Sequence, residues 1–426
     1  TGSITTSGAG AHGLYSQNDG SGSAIAQVEG GTVITSGTNA AGVAVRPENG
    51  TFDVDVTGGS VTGGAGMGAG IHAMGAGGGT IDIEAGASVD GSASGVAIRD
   101  GDADLDGTDE NGGNVAVTSA GTVTGDAILG LGDDIFNLTG GVYTGDIYGD
   151  AMTASAAGGD DTFTWTGGAL NSGFFGGNGS SAATIGGGAA YDGNEVLDGG
   201  DDIGRADGWV DTLTFNGVTA SAAADTVINW EQVNLTGTDL TLTGATWSAG
   251  GLSVDAASAL RLRGGGAGMF TIAGDVDNSG TIDLQDGAAG DRLSVTGNYS
   301  AGSALTIDTV LGGDGSATDL VVIGGDSAGT TELAVTNAGG AGAQTTVGIR
   351  VVDVQGASNG NFVLDSAVTS PATGEPIVVA GAYGYALRRG DDAGMGTSDD
   401  WYLQSSLPGS AGGAIYQPGA PIYEAF

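Results

Sequence analysis

Gly58-Gly59-Ser60-Val61, with Gly30-Gly31-Thr32-Val33 before it and Gly78-Gly79-Thr80-Ile81 and Gly112-Gly113-Asn114-Val115 after it, is the stretch on which the fold turns. Each copy is followed, after a turn, by a second small and apolar piece: Ala41–Val45, Ala69–Met74, Ser94–Ile98 and Gly125–Leu129. The four read as one recurring unit, with Gly-Gly steps of 28, 20 and 34 residues. The shortest step suits one coil of a parallel β-helix, and the longer ones imply loops inserted at coil corners. A single coil cannot bury its apolar face alone; stacked coils share one continuous core. Val54-Asp55-Val56 and Ile81-Asp82-Ile83 alternate, which sends aliphatic side chains inward and carboxylates outward. The expected fold class is therefore all-β: a single-stranded parallel β-helix, favoured over an antiparallel sandwich because loop lengths vary around a fixed core pattern.

The composition agrees. Mean residue mass is about 95 Da, because 90 of 426 residues are glycine. Hydrophobic residues still make up 39%, too many for a disordered chain. The glycines lack collagen's every-third spacing. Fifty acidic residues stand against nine basic ones, all arginine, for a net charge of −41. That balance excludes nucleic acid as a partner, since phosphate binding needs a basic footprint, and it favours divalent cations. Cysteine is absent, so disulfides and thiolate metal sites are excluded. No run of 18 apolar residues spans a membrane as a helix. Thr1-Gly2-Ser3 does not open a signal segment, so the chain is expected to be a processed or trimmed piece.

From about Thr122 onward the strands carry more aromatics: Phe136, Phe163, Trp165, Trp209, Phe215, Trp230 and Trp247, all expected in the core between rungs. Insertions are expected at 99–113 and at the glycine-rich 168–195. The C-terminal third offers clear strands, among them Leu305–Val310, Leu320–Ile323 and Ile349–Val354, and a hairpin of Ala382–Leu387 with Trp401–Leu403. Leu407–Phe426, with three of six prolines, reads as a linker.

Arg292 to Ser406 resembles the end of pertactin-like autotransporter passenger domains, the autochaperone region. The residues that carry the resemblance are Gly297-Asn298-Tyr299, the run from Leu305 to Ser316, Thr318–Val322, Val335–Gly340, Gly348–Val354 and Trp401-Tyr402-Leu403. The tail Tyr416–Glu424 resembles the lead-in to an outer-membrane β-barrel, and Asp198–Gly244 is similar to passenger coils, with lower specificity. The resemblance covers about a quarter of the chain. It implies a type V secretion product with a right-handed β-helix and a C-terminal barrel in the full-length protein. The expected domains are coils over 1–291, an autochaperone-like cap over 292–406 and a linker over 407–426. The apolar Leu305–Val354 region is the expected folding nucleus.

Several short motifs carry candidate chemistry. Gly325-Asp326-Ser327-Ala328-Gly329 matches a serine hydrolase elbow, but the only histidines, His12 and His72, lie far upstream and no helix follows, so a turn is expected. Gly8–Gly13 fits G-x-G-x-x-G, for which roughly three chance matches are expected at this glycine content. Asp102, Asp104 and Asp106 alternate before Gly107, with Glu110 beyond, as the opening of a Ca2+ loop does; the bidentate glutamate of position twelve is missing. These four are the tentative calcium ligands. Asp275–Asp286 has similar spacing, yet its neighbours read as strands. Gly130-Leu131-Gly132-Asp133-Asp134 fits a calcium-roll core, but the related turns Asp160-Asp161 and Asp201-Asp202 lie 27 and then a further 41 residues on, too scattered for a roll. Arg389-Gly390-Asp391 is an RGD tripeptide at a hairpin tip, a weak adhesion motif.

The expected function is a surface-displayed or released passenger with an adhesin or aggregation role. Its expected partners are a host or neighbouring cell surface, a matrix protein or glycan, or a second copy. No catalytic residue or obligate cofactor is expected, and Ca2+ is the one candidate ion. The rival classes are a polysaccharide-active β-helix enzyme and a passive surface-layer or spacer protein.

Overall fold

The structure is a computed structural model, described for residues 2–74, 77–101, 113–150, 158–390, 399–407 and 413–419. Its regular structure there is all β apart from the single 3-10 turn Ala224–Thr226. Two compact units form, Thr1–Ala220 with Thr226–Gln232 and Ser221–Asp225 with Val233–Phe426.

In the first unit the chain winds through three faces per coil, and each face is a column of parallel strands. The first face stacks Ser3–Thr6, Thr32–Thr35, Gly59–Thr62, Ala87–Asp90 and Thr122–Thr124. The second runs from Leu14–Asn18 through Val43–Pro47, Ile71–Ala73 and Val96–Asp100 to Val196–Asp198 and Val227–Ile228. The third runs from Ala24–Val28 through Phe52–Val56, Gly79–Ile83 and Val115–Ser119 to Thr162–Leu170, Ala182–Gly186 and Thr212–Asn216. The result is a right-handed parallel β-helix, the hand that twisted strands impose on parallel crossovers.

The Gly-Gly pairs serve two different faces. Gly30-Gly31 and Gly58-Gly59 lead into the first face, where Thr32 pairs with Ser60, a true 28-residue coil. Gly78-Gly79 and Gly113 lead into the third face, where Gly79 pairs with Val115; Gly112 lies outside the described residues. The 20-residue step is therefore a move between faces. Coils of 20 residues do occur later, as in Val123 over Tyr143 and Phe163 over Ala183. The four second pieces, by contrast, all fall on the second face.

Register stacking explains the core. Val54, Ile81, Val117, Phe136, Phe163, Ala183 and Leu213 lie one above another and are buried. The small Ala183 follows Phe163, which stacks on Phe174 at 4.8 Å and so takes up the width of the coil. Residues 168–195, expected as an inserted loop, hold the strands Gly173–Phe175 and Ala182–Gly186 with Phe174 and Ile185 buried. Glycine there provides room: a Cβ on Gly173 would lie 2.7 Å from the Val196 carbonyl oxygen. Six of the seven expected core aromatics are buried. Trp209 is half-buried, because it sits in a loop between strands rather than on a rung.

The second unit repeats the plan. Leu240, Leu260, Ile282, Leu305, Leu333 and Leu364 form one buried aliphatic column. The expected boundary at 291/292 falls inside this unit, whose columns run on from coil to coil. The strand Ser327–Asn337 crosses two faces, and Gly329 makes the corner: its φ is +79°, and a Cβ would meet the Ala301 oxygen at 1.8 Å. The last column changes character. Ile349–Val354 pairs antiparallel with Trp401–Gln404, which pairs antiparallel with Tyr383–Arg389, and Val378–Ala380 finishes the sheet. The expected hairpin is therefore present, and it closes the end of the stack. Part of the expected linker folds back on it: Ile415 is buried with Ile377 and Ala386. Tyr385 ties the end together, its hydroxyl bonded to Gly312, Ala343 O and Ala343 N at 2.8–2.9 Å.

Candidate functional site

The corner that feeds the third face of the first unit repeats one buried acid. Asp134, Asp161 and Asp211 stand immediately before Ile135–Thr144, Thr162–Leu170 and Thr212–Asn216, and Glu231 before Gln232. Each is no more than 2% exposed. Each accepts a backbone N–H from the coil beneath. Val115 donates to Asp134 Oδ1 at 2.7 Å, Asp134 to Asp161 Oδ1 at 2.9 Å, Ser181 to Asp211 Oδ1 at 2.6 Å and Asp211 to Glu231 Oε2 at 2.6 Å. Ser181 holds the place between Asp161 and Asp211. An outer, exposed rail runs beside it: Asp133 donates to Asn114, Asp160 to Asp133 and Ser180 to Asp160, with Val210 donating to the Ser180 hydroxyl.

This ladder satisfies backbone donors that the corner would otherwise leave unpaired. It uses only one oxygen of each acid. Asp134 Oδ2, Asp161 Oδ2, Asp211 Oδ2 and Glu231 Oε1 are buried without a hydrogen-bond partner. Burial pushes the Asp134 carboxyl up to about 10 and that of Asp161 to about 8. Burial, with the neighbouring Glu231 charge, pushes Asp211 to about 8. Such acids hold a proton at neutral pH or need a cation. Near the far end of the ladder, Asp201 places a carboxylate oxygen within 4.8 Å of oxygens of Asp211 and Glu231.

The spacing of Asp133-Asp134 and Asp160-Asp161, too scattered for a calcium roll, is one coil of 27 residues, so the two pairs stack directly. Asp201-Asp202 shares their doublet, but the acid of the ladder is Asp211. The signal was an Asp placed just before an alternating strand, as in Asp161-Thr162-Phe163 and Asp211-Thr212-Leu213.

The other candidates separate. Asp102, Asp104, Asp106 and Glu110 lie outside the described residues, as does Asp391. Arg389, beside Gly390, is ion-paired with Asp399. Ser327 is buried at the start of a strand, accepts the Gly360 N–H at 3.2 Å and is followed by no helix, so the hydrolase elbow is excluded. The Asp275–Asp286 run forms the strands Val276–Asn278 and Thr281–Asp283, with Asp283 held by Arg263 at 2.6 Å. His72 is in the core; it bonds Gly101 O at 2.8 Å, and burial lowers it to about 3. His12 stacks on the exposed Tyr15 at 5.6 Å, and both line an open cleft of about 470 Å³ with Asn39, Arg46 and Met74.

A three-faced parallel solenoid whose last column turns antiparallel is the architecture expected of a surface passenger. The comparisons make this specific. Residues 273–387 match the type 1 autochaperone domain family. The chain is 38% identical over 230 residues to the adhesin BmaC autotransporter of Brucella suis, which is 50% of this chain and 6% of that protein. It is 36% identical over 125 residues to the autotransporter adhesin AIDA-I of Escherichia coli, 29% of this chain and 9% of that protein. It is also 36% identical over 141 residues to the probable autotransporter YfaL of E. coli K12, 32% of this chain and 10% of that protein. The chain thus carries an autochaperone region and is similar to autotransporter passengers, products displayed at the bacterial surface or secreted. Full-length proteins of this kind carry a C-terminal outer-membrane barrel. The chain spans a tenth or less of each of these three relatives.

Proposed function

We propose that the chain is the membrane-proximal, adhesive part of a surface passenger, with binding rather than catalysis as its role. Its likeness to two adhesins carries the reading. The geometry supports it: the coils present long outward rows of Thr, Asn and Asp, and solenoid faces make extended contact surfaces. The cleft beside Tyr15 combines an aromatic face, an arginine and an amide, the chemistry of a glycan contact. The partners on this reading are a host or neighbouring cell, a matrix protein or glycan, or a second copy. The second unit nucleates folding, and coil stacking propagates from it.

The purified chain, coated on beads, is expected to bind epithelial cells, a matrix protein or a glycan array, or to self-associate in sedimentation. A Tyr15→Ala/Arg46→Ala variant that keeps its melting temperature tests the cleft. Absence of binding across all four formats overturns the adhesive role.

A further inference from the structure

Residues 199–211 leave the second face after Val196–Asp198 and re-enter the third at Thr212. On the way they bring Asp201 over the inner acids, so that oxygens of Asp201, Asp211 and Glu231 lie within 4.8 Å of one another. Asp211 and Glu231 are 0% and 1% exposed. One oxygen of each is taken by a backbone N–H, and the other, Asp211 Oδ2 or Glu231 Oε1, has no hydrogen-bond partner. Two desolvated carboxylate oxygens facing a third carboxylate repel unless a proton or a cation lies between them. Arg205 is near but spends its guanidinium elsewhere, on Glu231 O and Gln232 Oε1, both at 3.2 Å.

We propose that Asp201, Asp211 and Glu231 bind a divalent cation, Ca2+ in the extracellular setting. The donor set is all oxygen and charged, which selects a hard cation over zinc or copper. One ligand comes from an exposed loop and two from rigid coil corners, an uneven cage that suits the loose six-to-eight coordination of Ca2+ better than the strict octahedron of Mg2+. Backbone oxygens and water complete the shell. Asp202 and Asp207, exposed and grouped with Asp201, add negative field at the mouth. The ion ties the 199–211 loop to the ladder and clamps the coil of Asp211 to that of Glu231. This site is distinct from the Asp102–Glu110 loop.

The test uses the whole chain stripped with chelator. Calorimetric titration with CaCl2 is expected to show saturable binding at or below about 1 mM, with a rise in Tm of several degrees. Terbium in place of calcium is expected to give emission on tryptophan excitation. Asp201→Asn, on an exposed side chain, weakens affinity about tenfold or more, and Asp211→Asn with Glu231→Gln abolishes the terbium signal. Asp102→Asn/Asp104→Asn leaves that signal in place. Circular dichroism checks the fold of each variant; if the double variant fails to fold, Asp201→Asn decides alone. The proposal is overturned if the folded chain binds no calcium in this range. It is equally overturned if binding survives Asp201→Asn unchanged, or is lost only with Asp102→Asn/Asp104→Asn.

Discussion

The two units place acids at the same kind of coil corner and satisfy them differently. In the first, Asp134 and Asp161 each accept one backbone N–H and leave the other oxygen bare. In the second, Asp319 fills both: Gly290 and Asp291 donate to Oδ1, and Asp308 to Oδ2 at 2.7 Å. Asp314 accepts from Thr346, Val347 and Gly348. The buried Asp400 accepts the Val354 N–H and meets Arg350 at 3.2 Å. Six of the nine arginines lie in the second unit, and Arg263, Arg350, Arg388 and Arg389 pair with acids there. Asp291 Oδ2 and Asp308 Oδ1 are its exceptions. The second unit thus largely completes its polar contacts from its own chain, whereas the first leaves places for protons or cations. A unit that needs less from outside is the one suited to fold first.

The largest expected effect tests that order. Leu305→Ala and Leu213→Ala each remove a fully buried side chain and are each expected to cost about 2–5 kcal/mol. If the second unit nucleates, Leu305→Ala slows refolding, whereas Leu213→Ala mainly speeds unfolding. Stopped-flow fluorescence separates the two, and equal refolding rates would break the contrast. Next in size is Asp319→Ala. It strands three buried or half-buried N–H groups and is expected to cost about 1–3 kcal/mol in chemical denaturation.

The third prediction concerns pH. Burial, with the charges of Asp150, Asp133 and Asp160, raises the Asp161 carboxyl to about 8 despite the Asp134 N–H that it accepts. Asp319 is raised only to about 6, because its three N–H donors offset burial. A raised carboxyl contributes stability that is full below its unfolded value near 4 and is lost as pH climbs through the folded value. The second unit's share from Asp319 is therefore gone by about pH 6. The first unit keeps weakening to about pH 8 through Asp161, and further through Asp134 at about 10. Hydrogen exchange across pH 5–9 is expected to show protection falling in residues 115–186 above pH 6 while residues 292–354 stay level. Asp161→Asn flattens the slope in the first unit.

Much of the fold was legible because stacking writes a simple rule into the chain: an aliphatic or aromatic residue recurs wherever a rung passes a face. Leu240, Leu260, Ile282 and Leu305 announce themselves in that way, and so does the Tyr383–Arg389 hairpin. What sequence cannot display is which face a glycine pair serves, since Gly58-Gly59 and Gly78-Gly79 precede near-identical strands. The site was less legible for a related reason. Asp161 and Asp211 are neighbours through one intervening coil, yet stand fifty residues apart with loops of unequal length between them. Asp201-Asp202 matches the earlier pairs as a doublet, whereas Asp211 matches them only in its position before a strand.

The smallest expected effect lies at the hairpin. Arg389, 44% exposed, pairs with Asp399 across the turn, whereas Arg388 is buried on Glu375 at 2.7 Å and reaches Ser406 O at 2.9 Å. An exposed pair contributes about 0–1 kcal/mol, so Arg389→Ala is expected to move the melting midpoint barely at all, while Arg388→Ala strips the half-exposed Glu375 of its partner and costs more. The same substitution separates two views of Arg389-Gly390-Asp391. A recognition tripeptide needs its guanidinium offered outward, and here Asp399 already engages it. Cell binding by Arg389→Ala is accordingly expected to equal that of the parent chain in a bead-adhesion assay. A loss of binding at unchanged stability would return the tripeptide to the adhesive surface.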